Sequence, residues 1–252
     1  MTPPDQTPFP AEWPDPHAQL TLTSEGVHIW RANLDAAAQN LGPLEANLSE
    51  DEKSRAARFV FPKDRQRFIA ARGILRQLLG DYLNRPAAGI EFTYGPQGKP
   101  RIRSENDDFP LQFNLSHSQA IAVFAFALRR ELGIDVEAVR ADFGGLEIAE
   151  RYFSRQELEE LRSLPVESQA ESFFLCWTRK EAYVKARGGG LQIPLASFSV
   201  TLTPGRPETL QSSDTFNWTL RSFQASHGFV GAVIGEGKGW RPSFWNWIPA
   251  RG

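Results

Sequence analysis

The sequence holds a single cysteine, Cys176, which excludes an internal disulfide framework and a multi-cysteine zinc site and makes a reducing cytoplasm the expected compartment. It has no long apolar run either. The longest, Ala120 to Leu128, is less than half of the ~20 residues that a bilayer-spanning helix needs, so no membrane role is expected. The start, Met1 to Pro16, lacks the basic residues and apolar stretch of a signal peptide, and residues 1–20 are expected to form a solvated arm. Lysine is scarce, with six against twenty-two arginines, so each lysine can be weighed singly. Strong net charge is missing too. With Lys+Arg 28, Asp+Glu 30 and a pI of about 6.1, nucleic acid is not an expected partner.

What is present is a 252-residue chain, 41% hydrophobic and 23% charged, with a mean hydropathy of -0.39. Those values fit a globular protein with a real core, built as one large domain or two small lobes. The charge is polarised along the chain. Arg55, Arg58, Lys63, Arg65, Arg67, Arg72 and Arg76 face one acid, Asp64, whereas Glu131 to Glu160 carries nine acids against Arg140, Arg151 and Arg155. Two readings stay open: a polyanion held at one end with a metal or basic partner at the other, or two solvated faces that pair with each other.

Hydrophobic periodicity gives a coarse map. Val27 to Arg31 alternates as a strand, and Ser49 with Glu52 forms a capping box that starts a helix. That helix breaks near Phe61-Pro62 and restarts, since Phe68, Ala71, Arg72, Leu75, Leu78 and Leu79 recur at helical spacing. Strands are expected over Gln112 to Ser116, Ala120 to Leu128 and Gly133 to Glu137, the second central because it is apolar on both faces. Helices follow over Leu146 to Tyr152, Ser154 to Leu161 and Glu167 to Arg187, the last stopped by Gly188-Gly189-Gly190. Phe198 to Leu202, Trp218 to Gln224 and Phe229 to Ile234 read as strands, and Gly235 to Gly252 breaks into Gly, Pro and Trp. The expected fold is α+β: two similar lobes, residues 21–130 and 131–252, each a small, mostly antiparallel sheet packed on helices.

Three segments carry chemistry. Asp135 and Glu137 lie two apart in a strand, so both carboxylates point one way while Ile134 and Val136 pack the other way. Two hard oxygen ligands on one face suit magnesium, although a lone Asp-x-Glu is equally the pattern of a solvated strand face. On the last long helix Trp177, Glu181 and Lys185 form one stripe at i, i+4, i+8. A surface ion pair would look the same. The apolar Phe173, Phe174, Cys176, Tyr183 and Val184 around it argue for burial, where a carboxylate needs a partner or a metal. Glu181 is then a third oxygen ligand, and Lys185 faces whatever anion the metal holds. Finally, Asn114-Leu115-Ser116-His117-Ser118 closes a strand with short polar side chains and an imidazole, suited to a phosphate if His117 is protonated.

Together, Phe113 to Ser118, Gly133 to Glu137 and Trp177 to Gly188 resemble, in order and spacing, the three signature motifs of the 4′-phosphopantetheinyl transferases, specifically the larger, surfactin-synthetase-activating type. The resemblance extends to Arg58-Phe59, Asp64, Arg67, Gly98-Lys99-Pro100 and Leu195 to Val200, and so covers roughly residues 49–203. It implies a pseudo-twofold monomer that binds coenzyme A between its lobes. It also implies transfer of the phosphopantetheine arm to a serine of an acyl, peptidyl or aryl carrier protein, with release of adenosine 3′,5′-bisphosphate. By motif, Asp135, Glu137 and Glu181 match the magnesium ligands and Lys185 the lysine at the pyrophosphate. His117 and Arg67 match groups near the 3′-phosphate, Ser116 and Lys99 nucleotide contacts, and Arg55 or Lys53 a further phosphate contact. Glu181 is the expected acceptor of the serine proton. Arg58, Phe61, Arg65 and Phe143 are candidate carrier contacts, with Phe61 and Phe143 also readable as core. A magnesium-dependent hydrolase or transferase acting on another nucleotide diphosphate, and an inactive carrier- or nucleotide-binding module, are the alternatives.

Overall fold

The computed structural model describes residues 13–16, 21–103, 110–140 and 144–249. The first half runs β1 (Gly26–Asn33), α1 (Leu34–Ala37), α2 (Gly42–Ala46), α3 (Glu50–Ala56), α4 (Pro62–Leu83), β2 (Phe92–Tyr94), β3 (Pro100–Ile102), β4 (Leu111–Ser118) and β5 (Ile121–Leu128). The second runs β6 (Leu132–Ala138), α5 (Gly145–Tyr152), α6 (Arg155–Ser163), α7 (Val166–Arg187), β7 (Ser199–Val200), β8 (Leu210–Gln211), β9 (Trp218–Ser226), β10 (Phe229–Glu236) and β11 (Arg241–Asn246).

The fold is α+β. One four-stranded sheet has the order β11-β1-β5-β4 and a three-stranded sheet the order β6-β10-β9. Strand β5 is buried on both faces because its residues alternate between two cores. Ala122, Phe124 and Phe126 pack with Ile74, Leu75 and Leu78 of α4, whereas Val123, Ala125 and Ala127 pack with Ile134 and Val136 of β6 and Val233 of β10. On the far side of the second sheet, Val230, Ala232 and Ile234 pack with Phe173, Phe174 and Tyr183 of α7. The layers are therefore helix, sheet, sheet, helix.

Local signals set the ends of the two 22-residue helices. Pro62 opens α4, where its missing N–H is no loss, and the capping box of Ser49 and Glu52 opens α3 just before it. Gly188 closes α7 with φ +65°, the left-handed value that glycine adopts without strain.

Three expectations change. Trp13 lies in the stretch expected as a solvated arm, yet it is only 4% exposed. It packs edge-on against Phe223 and Phe244, and its indole N–H donates to the Gln224 carbonyl at 3.0 Å. An indole can leave water at little cost when its N–H finds an acceptor, and this one does. The rest of the arm, residues 1–12 and 17–20, lies outside the described residues. The tail, grouped with the second lobe, instead sends β11 into the first sheet, parallel to β1 with Gly26 opposite Arg241 and Arg31 opposite Asn246. The strand expected over Phe198 to Leu202 is reduced to β7, Ser199–Val200.

Candidate active site

Strands β4 and β6 lie side by side at the seam between the sheets, and side chains rather than a backbone ladder join them. The Asn114 Oδ1 accepts from the Ile134 amide at 2.9 Å. Ser116 Oγ donates to Asp135 Oδ1 at 2.7 Å. Ser118 Oγ donates to Glu137 Oε2 at 2.7 Å and accepts from the Ala138 amide at 3.2 Å. On β4 it is every second residue, Asn114, Ser116 and Ser118, that faces β6, as the two-residue period of a strand requires. The serine hydroxyls were expected to face a phosphate. Here they hold the two carboxylates.

Helix α7 completes the cluster. Lys185 Nζ sits 2.7 Å from Asp135 Oδ1 and 2.9 Å from Ser116 Oγ. Gly133, the first residue of the expected strand, lies inside β6, where a Cβ would stand 2.1 Å from the Ala182 carbonyl oxygen and 2.4 Å from the Ala186 nitrogen. The strand touches the helix backbone to backbone, which brings Glu181 and Lys185 level with Asp135 and Glu137.

Three carboxylates therefore share a desolvated space. Burial pushes the Glu181 carboxyl up, Asp135 and Glu137 add to the shift, and Lys185 opposes it. Burial likewise pushes Glu137 up with help from Asp135, against Ser118, Lys185 and Arg140. Asp135 Oδ2 is buried and has no hydrogen-bond partner. A buried carboxylate oxygen without a donor, beside two carboxyl groups that lean towards protonation, fits a divalent cation in donor type. Among the described residues no three His, Cys, Asp or Glu side chains are gathered closely enough to hold an ion as they stand. Lys185 occupies the Asp135 Oδ1.

The basic residues divide. His117 lies at the rim, one residue before the end of β4, and Arg67 and Lys185 both act on it electrostatically. Burial of the ring and then these two cations push its pKa down, with Asp135 opposing. Arg67 is gripped by Asp35 through Nε at 2.7 Å and a second nitrogen at 2.8 Å. Arg72 and Arg76, part of the expected basic stripe, turn inward to the buried Glu52 and are not available to a polyanion. Lys53 pairs with Glu50 at 2.8 Å, and Arg55 lies exposed over the Phe68 ring. Lys99 points into the protein, towards Glu131, Leu132 and Ala186.

The stitching roles of Asn114 and Ser118 and the close approach at Gly133 go beyond the roles read from the sequence. The signal was present in the matched spacing, Asn-x-Ser-x-Ser against Ile-Asp-x-Glu, but only the seam reveals that the two strands are partners.

Comparison with known proteins decides the family. The sequence model described as 4′-phosphopantetheinyl transferase superfamily matches residues 131–234, and the one described as 4′-phosphopantetheinyl transferase, N-terminal, matches residues 35–128. This chain belongs to the 4′-phosphopantetheinyl transferase superfamily. The transferase is 42% identical over 235 residues to the 4′-phosphopantetheinyl transferase HetI of Nostoc sp. (strain PCC 7120), covering 93% of this chain and 98% of that one. It is 31% identical over 203 residues to the 4′-phosphopantetheinyl transferase Sfp of Bacillus subtilis (strain 168), covering 75% of this chain and 88% of the relative. A crystal structure of a holo-(acyl-carrier-protein) synthase from Bacillus anthracis str. Ames in complex with CoA (3′,5′-ADP) aligns with 42% of this chain and 94% of its own, at 21% identity and a TM-score of 0.34. Both family models end or begin beside β6, so the seam lies where the two matched halves of the transferase meet.

Proposed function

We propose that this transferase moves the phosphopantetheine arm of coenzyme A onto a serine hydroxyl of a carrier protein, in a magnesium-dependent reaction that releases adenosine 3′,5′-bisphosphate. The observation that carries the reading is the seam: Asp135, Glu137 and Glu181 feel one another's charge, Asp135 Oδ2 is buried without a partner, and the Lys185 ammonium lies against Asp135 Oδ1.

A pyrophosphate ester resists attack because its charge repels the nucleophile, so catalysis must offset that charge and position the hydroxyl. Asp135, Glu137 and Glu181 would hold the magnesium ion, which when bound neutralises pyrophosphate charge and polarises the phosphorus centre. Lys185 stabilises the departing phosphate of the nucleotide. Glu181 accepts the serine proton as the new oxygen–phosphorus bond forms and the pyrophosphate bridge breaks. Arg67 and His117 lie beside the seam and face the nucleotide's 3′-phosphate, an anion that would draw a proton back onto His117.

The carrier approaches over the α3–α4 corner. Val60 and Phe61 are 86% and 66% exposed there, which overturns the reading of Phe61 as core, and the basic Arg58, Lys63 and Arg65 surround them. An acidic helical partner fits such a surface. Phe143, the other aromatic candidate, lies outside the described residues.

The deciding experiment is intact mass of an apo carrier protein incubated with the transferase, coenzyme A and magnesium, with an EDTA control. A metal-dependent gain of one phosphopantetheine is expected. Turnover of coenzyme A without a protein acceptor would favour a hydrolase, and binding without turnover a carrier- or nucleotide-binding module.

A further inference from the structure

The resemblance assigns Lys99 to the nucleotide, but its surroundings give the ammonium other work. An ammonium has three protons, and this one meets three acceptors: Glu131 Oε2 at 3.0 Å, the Leu132 carbonyl at 3.0 Å and the Ala186 carbonyl at 3.1 Å. Its side chain is 10% exposed. Leu132 opens β6, three residues before Asp135, and Ala186 follows Lys185 in the last turn of α7, where carbonyls lack partners within the helix. Lys99 itself stands in the turn between β2 and β3. That turn is seated on the end of α7: a Cβ on Gly188 would lie 3.7 Å from Lys99 Cδ, and one on Gly190 3.0 Å from Gln97 Cβ. Arg101, on the same hairpin, holds the other oxygen of Glu131 at 2.6 Å.

We propose that Lys99 is a positioning residue rather than a phosphate ligand: it clasps the β2–β3 turn to the start of β6 and the end of α7, and so holds Lys185 against Asp135. The inference rests on the transferase reading for its kinetic consequence, while the clasp itself is a property of the fold. Burial lowers the pKa of the ammonium and Glu131 restores part of the loss, as expected for a cation already satisfied within the protein.

The test compares the full chain with Lys99→Met, Lys99→Arg, Glu131→Gln and the Lys99→Met/Glu131→Gln double variant. Single-turnover transfer is followed across a range of coenzyme A concentrations, so that a smaller folded fraction cannot lower the rate constant. Hydrogen exchange at residues 183–188 is measured alongside. For a clasp, Lys99→Met slows the maximal single-turnover rate ~10–100-fold without changing the half-saturating coenzyme A concentration. Lys99→Arg does no better, because a planar guanidinium cannot replace a compact ammonium among three converging acceptors. The double variant is little worse than either single one. A rise in the half-saturating concentration with the rate preserved, recovered in Lys99→Arg, overturns the proposal in favour of a phosphate ligand. If the wild type transfers no arm, the transferase reading fails and exchange alone decides. Faster exchange at 183–188 in Lys99→Met supports the clasp, and unchanged exchange overturns it.

Discussion

Arg76 and Lys180 stand at the same place in two 22-residue helices, α4 and α7, and each is bound by the glutamate that closes a capping box. Glu52, boxed with Ser49, holds Arg76 Nε at 2.5 Å; Glu157, boxed with Ser154, holds Lys180 Nζ at 2.7 Å. All four side chains are at most 2% exposed. One device anchors both long helices to the short helices that precede them. Different cations carry it, so no repeat is visible in the residues.

A buried pair of this kind is costly to halve. Glu157→Leu leaves the Lys180 ammonium with only the Leu195 and Phe198 carbonyls, and should cost about 3–5 kcal/mol. Lys180→Met strands Glu157 in the same way. Denaturant unfolding should find that the double variant loses well under the sum of the two single losses, because neither charge is then left alone.

Removing the Ser118 hydroxyl takes from Glu137 its one donor from β4. Ser118→Ala should raise the magnesium concentration for half-maximal transfer ~10–100-fold, as loss of a partner behind a metal ligand commonly does. A magnesium titration of the transfer rate checks it, and an unchanged midpoint would mean that Glu137 needs no support from β4.

Glu181→Gln removes the expected proton acceptor but keeps the side-chain shape. Transfer should fall ~10²–10⁴-fold. Calorimetry should still detect coenzyme A binding through the basic residues at the rim. A variant that transfers the arm at close to the wild-type rate would falsify the role given to Glu181.

At Gly133 the added methyl of Gly133→Ala meets backbone on two sides, Ala182 O and Ala186 N, neither of which is the end of a flexible side chain. The helix must move. Stability should fall by at least the ~1–3 kcal/mol typical of overpacking, and transfer should fall further than the folded fraction does, since Lys185 leaves Asp135. Thermal unfolding and single-turnover rates on the same sample separate the two effects.

His28 supplies the pH dependence. Its Nδ1 lies 2.7 Å from Tyr82 Oη, which also accepts the Trp30 indole N–H at 2.8 Å. Burial lowers the His28 pKa below its ordinary 6.5. The unfolded chain therefore takes up the proton first as pH falls. The stability that His28 contributes is full above about pH 6.5 and is lost on acidification through the lower folded value. Melting temperatures from pH 7.5 to 5 should drop by a few degrees more in the wild type than in His28→Asn, at ~2–4 °C per kcal/mol for a chain of this size.

Local chemistry made much of this legible from the residues alone. Ser49 with Glu52, Pro62 and Gly188 mark helix ends through interactions within a few positions of themselves, and the structure has those ends where they mark them. Alternation placed Asp135 and Glu137 on one face, and the i, i+4, i+8 stripe placed Glu181 and Lys185 on another. What stayed hidden depends on distant segments meeting. Trp13 in a Pro-rich stretch looks like a solvent-facing residue until Phe223 and Phe244 close around it. The partners of Lys99 come from 32 to 87 positions away, so its scarcity drew attention to it without revealing its role. Arg72 and Arg76 count as positive charge in any window, and only the buried Glu52 cancels them.

The parallel pairing of β1 with β11 gives the chain an order of assembly. Strand β1 is flanked by β5 on one side and by β11 on the other, and β11 begins at Arg241. As the polypeptide leaves the ribosome, the first sheet must wait with an open edge while the whole second sheet and α7 are made. A nascent chain stalled before Arg241 would carry every residue of the seam cluster and still present an unpaired strand to its neighbours, the kind of edge through which β-proteins aggregate.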